Sequence, residues 1–294
     1  MIAENRPRGA AQPRNETALT AHAPMKAVRP PPLAPDAAPA QAQGGAGAAS
    51  TLRQHTARVL LAVGVLVAVL AVASGTAFGL GLDHAAKALL AYGLGASLVW
   101  RGLATHPHAR FGPANGVTLL RLASVALLAA LVGEPLPRPP LAGMPEVAWS
   151  LVLIATVTAL CDAVDGALAR RSGLASAFGA RFDMETDAAF TLVLCALVLQ
   201  AGQAGPWVLA SGLMRYAFVA AARVWPWLDG ALPPSKRRQT VCVVQITTLI
   251  ACLGPIVPPP LAAGLAAASL ALLTLSFAID VRTLARQRPT PTET

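Results

Sequence analysis

The chain is short of charge. Only 13% of its 294 residues are Asp, Glu, Lys or Arg, where a soluble protein carries roughly a quarter. Together with 55% hydrophobic residues, that shortage excludes an ordinary soluble domain. Acid is scarcer than base: 14 carboxylates stand against 23 Lys and Arg, for a formal charge of +9. The basic residues sit mainly between apolar runs, where topology and anionic lipid account for them. No nucleic-acid partner is expected. Cysteine is also rare. Cys161, Cys195, Cys242 and Cys252 each stand alone in an apolar run. Without a CxxC pair, neither a disulfide framework nor a zinc site is expected. No apolar core follows the first basic residues, so no signal peptide is expected.

What the chain has instead is apolar runs near the ~20 residues that span a bilayer. They lack the alternation of a barrel strand, and lipid-exposed backbone must be bonded internally. The expected fold is therefore all-α, a polytopic membrane protein of about eight transmembrane helices. The runs place them at about 59–80, 87–103, 115–132, 147–171, 175–199, 207–224, 239–253 and 261–281. Residues 1–52, with PPPLAP at 30–35, are too rich in Ala and Pro to bury a core and are expected to be a disordered tail. Two helices follow within 53–104 and six within 105–285. A polar tail, 286–294, closes the chain.

Orientation follows from Lys and Arg. Arg53, Arg58, Arg101, Arg110, Arg170, Arg171, Arg181, Arg223, Lys236, Arg237, Arg238, Arg282, Arg286 and Arg288 fall on one side. Only Lys87 and Arg138 fall on the other. Both termini and the turn at 170–181 are expected on the cytoplasmic side.

Against this apolar background one stretch stands out. Asp162, Asp165, Asp183, Glu185 and Asp187 supply five of the 14 carboxylates within 26 residues, 162–187. Charge in a membrane segment is costly, so it implies a partner or a function. Asp162 and Asp165 are three apart and Asp183 and Asp187 four apart, so on helices each pair shares a face. Such a group stays ionised only with positive charge between its members. Divalent cations with oxygen ligands are the natural source, magnesium first.

Gly166 and Ala169 lie on the aspartate stripe and leave room for a flat ligand or for close helix packing. Arg170 is expected to snorkel or to pair with a phosphate. Glu185 lies off the stripe and is expected to pair with Arg181 at i, i+4. His106 and His108 lack a third ligand and read as an interfacial loop. An aspartate cage with metal near one membrane face suits phosphoryl transfer. A divalent-cation transporter is the alternative outside enzymes, although transporter sites lie nearer the midplane.

The pattern Asp162-x2-Asp165-Gly166-x2-Ala169-Arg170-x8-Gly179-x3-Asp183-x3-Asp187 resembles the signature of the CDP-alcohol phosphatidyltransferases. Every fixed position and gap matches. The resemblance covers about 110–285 and implies that the six helices of 105–285 form the catalytic core. It also implies transfer of a phosphatidyl group from CDP-diacylglycerol to an alcohol, with release of CMP. By resemblance, Asp162, Asp165, Asp183 and Asp187 bind Mg2+ or Mn2+, as two ions, and Asp187 is the catalytic base. Gly166, Ala169, Arg170 and Ser176 contact the CDP lipid. A second motif, Asn115-x2-Thr118-x2-Arg121, resembles the polar stripe that opens the first core helix near the nucleotide. Read without the resemblance, Asn115 is a helix cap and Arg121 an interfacial anchor.

Arg215, in the sixth helix, and the cluster Lys236, Arg237 and Arg238 are candidates to hold a phosphorylated acceptor such as glycerol 3-phosphate or inositol phosphate. The run Lys236-Arg237-Arg238-Gln239-Thr240 departs from that of phosphatidylglycerophosphate synthases. Within enzymes the alternative is an aminoalcohol phosphotransferase acting on a CDP-alcohol and diacylglycerol. The family it resembles commonly forms homodimers, and the expected location is the inner (plasma) membrane of a bacterium, with the Lys and Arg distribution turning the active site toward the cytoplasm.

Overall fold

The computed structural model describes residues 40–108, 110–134, 145–172, 174 and 176–287. The expected tail up to residue 39, positions 135–144 of the expected loop, Arg138 among them, and the C-terminal 288–294 lie outside the described residues. All regular structure among the described residues is helical. The helices are α1 (Ala40–Phe78), α2 (Leu82–Gly102), α3 (Pro113–Ala130), α4 (Pro145–Ser172), α5 (Ala177–Gln200), α6 (Leu209–Val224), α7 (Lys236–Cys252) and α8 (Pro259–Arg286). Eight helices and no strand agree with the all-α expectation.

Among the described residues, four stretches are long and apolar enough to cross a membrane: Ser50–Phe78, Pro113–Ala130, Pro145–Asp162 and Pro259–Arg286. They mark an integral membrane protein. The other helices fall short for legible reasons. α6 has 16 residues and α7 has 17, below the ~20 that span a bilayer. The first half of α5 carries Arg181, Asp183, Glu185 and Asp187.

Local sequence sets the helix ends. Gly112 takes φ 83°, a left-handed conformation that glycine adopts without penalty, and Pro113 opens α3 with its fixed φ. Ser176 caps α5 by accepting the Gly179 N–H at 3.0 Å. α1 begins at Ala40, upstream of the start near 59 that hydropathy predicts. Residues 40–52, expected as part of the disordered tail, are thus helical: Ala and Gln favour the helix and no proline interrupts it, although Gly44, Gly45 and Gly47 disfavour it, and the hydropathy pattern does not register the stretch.

Two compact units divide the chain, Met1–Gln43 and Gly44–Thr294. The second contains two apolar clusters. One joins Leu151 and Ala155 of α4, Phe190 and Leu194 of α5, Leu249 of α7, and Ala262 and Ala266 of α8. The other joins Val67 and Ala71 of α1, Tyr92 and Val99 of α2, Leu119 and Leu122 of α3, and Phe178 of α5. Helix α3 lies between them, packed on α2, α4 and α5. It therefore carries its side chains to the place where the carboxylate helices meet.

Candidate active site at the carboxylate helices

Asp162 reaches the site from α4, and Asp183 and Asp187 from α5. One oxygen of each lies within 4.8 Å of the other two. Asp183 and Asp187 are one turn apart and share a face of α5. The side chains of Asp165, Ala169 and Arg170 lie outside the described residues. Gly166 is half-buried on α4.

Arg121 of α3 enters this group from beneath. Its Nη1 lies 3.1 Å from Asp162 Oδ1 and 2.6 Å from Asp183 Oδ1, and its Nη2 donates to Asp187 Oδ1. The side chain is 1% exposed, whereas those of Asp162, Asp183 and Asp187 are 44%, 36% and 24% exposed. The guanidinium thus forms a buried floor and the carboxylates a more open rim. A buried arginine is tolerated because it is paired; removing its partners would leave a charge in a poorly solvated place. Among the described residues, three formal negative charges stand against one positive. The sequence reading places Arg121 at the nucleotide lipid or the interface. The structure turns it inward, onto the aspartates.

The other two members of that stripe are also buried. Asn115 donates from Nδ2 to the Phe111 carbonyl, and Thr118 donates from Oγ1 to the Ala114 carbonyl at 3.1 Å. Gly112, not Asn115, takes the N-cap position of α3. A Cβ on Gly179 would stand 2.8 Å from Asn115 Oδ1. That is inside any ordinary contact, so the motif glycine lets α5 approach α3 at this level. Ser176, expected at the nucleotide lipid, caps α5 and sits 3.5 Å from His106 Nδ1. His106 Nε2 lies 2.9 Å from the Arg110 carbonyl, and its ring meets His108 and Phe178 edge-on, at 5.5 and 5.2 Å between centroids. Both histidines belong to the loop.

Glu185 corrects an expectation. It pairs with Arg215 of α6 at 2.7 Å rather than with Arg181. Two residues beyond Asp183 is about 200° around the helix, so Glu185 faces away from the aspartates, toward α6. The Arg215 expected at the acceptor is the cation it meets. Arg237 and Arg238 are likewise engaged. Both contact Asp280 Oδ1 of α8, at 2.5 and 3.2 Å, and Arg237 Nη1 donates to the Ser276 carbonyl at 2.8 Å. Lys236, at the start of α7, is exposed. Asp280 was missed in the sequence, although a lone carboxylate in the last apolar helix signals a paired cation.

The donor set fits a hard divalent ion. Magnesium–oxygen bonds are about 2.0–2.1 Å, so two oxygens on one ion lie at most about 4 Å apart, a spacing these carboxylates reach by small adjustment. Carboxylate oxygens are also the ligands such ions prefer.

No curated protein and no solved structure matches the chain. A model of the CDP-alcohol phosphatidyltransferase family matches residues 112–279. The match runs from the glycine that precedes α3 to the last turns of α8, takes in every residue of the carboxylate cluster and leaves α1 and α2 outside. It covers more than half of the chain, and its span coincides with the helices that build the site. The chain belongs to the CDP-alcohol phosphatidyltransferase family, enzymes of phospholipid metabolism that transfer a phosphate-linked group from a CDP-alcohol.

Proposed function

We propose that the protein transfers the phosphatidyl group of CDP-diacylglycerol to an alcohol, releasing CMP. The observation that carries this reading is the convergence of oxygens from Asp162, Asp183 and Asp187 to within 4.8 Å of one another, around the Arg121 guanidinium. Asp162, Asp165, Asp183 and Asp187 would hold Mg2+ or Mn2+, as two ions. Bound there, the metal supplies charge that neutralises phosphate oxygens and orients an in-line displacement.

The chain's own residues have separable tasks. The alcohol oxygen forms a bond to the phosphatidyl phosphorus as the bond from that phosphorus to the CMP oxygen breaks. Asp187 takes the alcohol's proton as a general base. Gly166 and Ala169 leave space for the CDP moiety beside α4, and Arg170 pairs with its phosphate. Asn115, Thr118 and Ser176 line the approach of α3 and α5 below the nucleotide. We assign Arg121 to the aspartates instead of the lipid. It opposes their mutual repulsion and keeps them convergent.

The acceptor in this reading is a phosphorylated polyol. Lys236 supplies the exposed cation, and Arg215, Arg237 and Arg238 supply guanidiniums already anchored by Glu185 and Asp280. In this reading the shorter or more polar helices α2, α5, α6 and α7 cross the bilayer packed against the four apolar spans; the six helices within 105–285 form the catalytic core, and the two within 53–104 are additional. The active site faces the cytoplasm from the inner membrane, in a homodimer.

The test is to supply labelled CDP-diacylglycerol, Mg2+ and a panel of alcohols, then identify the lipid made. CMP release that needs both metal and an acceptor is the expected result. Transfer of a phosphoalcohol from a labelled CDP-alcohol onto the hydroxyl of diacylglycerol, with CMP leaving, would replace this reading with an aminoalcohol phosphotransferase. Metal flux without CMP release would overturn it.

A further inference from the structure

Helix α2 lies before residue 112, outside the family match, yet it touches α3 and α5, two of the three helices that meet at the aspartates. Two glycines make those contacts. A Cβ on Gly95 would stand 2.7 Å from both methyl carbons of Leu122, and one on Gly102 would stand 2.6 and 2.8 Å from the Cε2 and Cδ2 of Phe178. Carbon atoms rest about 3.5–4.0 Å apart, so neither position has room for a side chain. Gly93, on the same helix, has nothing within 4 Å of its Cβ position.

The two receiving residues are well placed to transmit a shift. Leu122 is buried and adjoins Arg121 on α3. Phe178 is buried in the first turn of α5, between the cap Ser176 and the site glycine Gly179. Its ring is held by Phe111 and Phe182, with centroids 6.4 and 6.3 Å away. A methyl group on Gly102 would therefore press this ring against its aromatic neighbours at the start of α5. The far end of α2 is anchored as well. His84 Nδ1 lies 3.3 Å from the Ala130 carbonyl of α3, and Lys87 Nζ lies 2.7 Å from Glu134 Oε1 just beyond α3. Held at both ends, α2 has little freedom to lean away from an added methyl group.

We infer that α2 is a positioning element of the catalytic centre, with Gly95 and Gly102 as its positioning residues. They set how closely α3 and α5 stand, and so where Arg121, Asp183 and Asp187 meet. The family's shared helices lack this part, and here it closes the site from behind. Disturbing the hydrogen-bonded partners of metal ligands, as a displaced Arg121 would do to the aspartates, costs about 10–100-fold in metal affinity.

This inference rests on the metal reading of the aspartates. The test therefore measures binding of Mg2+ alone, by its effect on thermal unfolding of the full-length protein in detergent, alongside CMP release. In Gly102→Ala, the Mg2+ concentration for half-maximal stabilisation is expected to rise about tenfold, and CMP release to fall at wild-type Mg2+. Gly95→Ala should shift it less, because the Leu122 methyls can rotate aside. Gly93→Ala should leave both readouts unchanged. Phe178→Leu combined with Gly102→Ala should recover part of the Mg2+ response, which a merely structural lesion would not. Wild-type Mg2+ response in Gly102→Ala and Gly95→Ala overturns the inference. Should Gly102→Ala not accumulate, Gly95→Ala decides it. Asp187→Asn separates the two readings. If Mg2+ stabilises that variant as it does the wild type, the metal reading fails. If Asp187→Asn loses the response while the glycine variants keep it, only the positioning role fails.

Discussion

Of the polar clusters that interrupt the apolar helices, two are built on opposite plans. At one, Asp162, Asp183 and Asp187 surround Arg121 with acid in excess, and the carboxylates are partly open to their surroundings. At the other, beyond the far end of α3, the groups are matched. Lys87 pairs with Glu134 and stands 3.7 Å from Asp83. His84 sits between Ser74 Oγ and the Ala130 carbonyl. Gln200 donates to the carbonyls of Leu131 and Glu134 and accepts from the Gly133 N–H. The second cluster is a closed hydrogen-bonded seal between α2, α3 and α5. The difference teaches how to tell a site from a strut. Matched charge with every donor placed ties helices together, whereas unmatched charge at a partly open rim invites a cation.

The largest expected effect breaks the first cluster. Asp187→Asn keeps the shape and removes the base, so CMP release should fall about 10²–10⁴-fold while the unfolding temperature stays near wild type. An Asp187→Asn enzyme with normal turnover would remove Asp187 from catalysis.

Arg121→Met should expose the imbalance directly. Breaking a buried charge pair costs about 3–5 kcal/mol, and the partial exposure of the three acids lowers that to about 2 kcal/mol. Detergent unfolding should register the loss, and Mg2+ should restore more stability to this variant than to the wild type, because a bound cation acts in place of the guanidinium. Equal Mg2+ stabilisation of both proteins would contradict the counter-charge role.

Glu185→Gln lies between the two plans. It removes the partner of Arg215 on the α6 side of α5, so a loss of about 1 kcal/mol is expected for a half-exposed pair. The Mg2+ response should be unaltered. A changed response would mean that this pair belongs to the site.

The smallest effect belongs to the seal. Glu134→Gln leaves Lys87 with Asp83 alone and should lower the unfolding temperature only slightly, since Lys87 is solvated. Turnover per folded molecule should not change. A fall in the ratio of turnover to folded protein would show that the seal, too, reaches the active centre.

Much of this was legible along the chain. Apolar runs announce helices because each must satisfy its own backbone in lipid, and eight were found where eight runs lie. Spacings of three and four put the aspartates on shared faces, since that periodicity is a property of one helix. What one helix does with another was not legible. Arg121 and Asp187 are 66 positions apart, Arg215 and Glu185 are 30, and Arg237 and Asp280 are 43. In each case the sequence showed a charge and a local partner or the interface was the natural assumption.

By itself, then, the sequence determined the helices, the acidic faces and the family, because all three depend on local periodicity and spacing. Only the tertiary structure decided which cation meets those acids and which glycines admit α2. Those outcomes depend on how helices rotate and how closely they pack, and packing is set by side chains distributed over the whole chain.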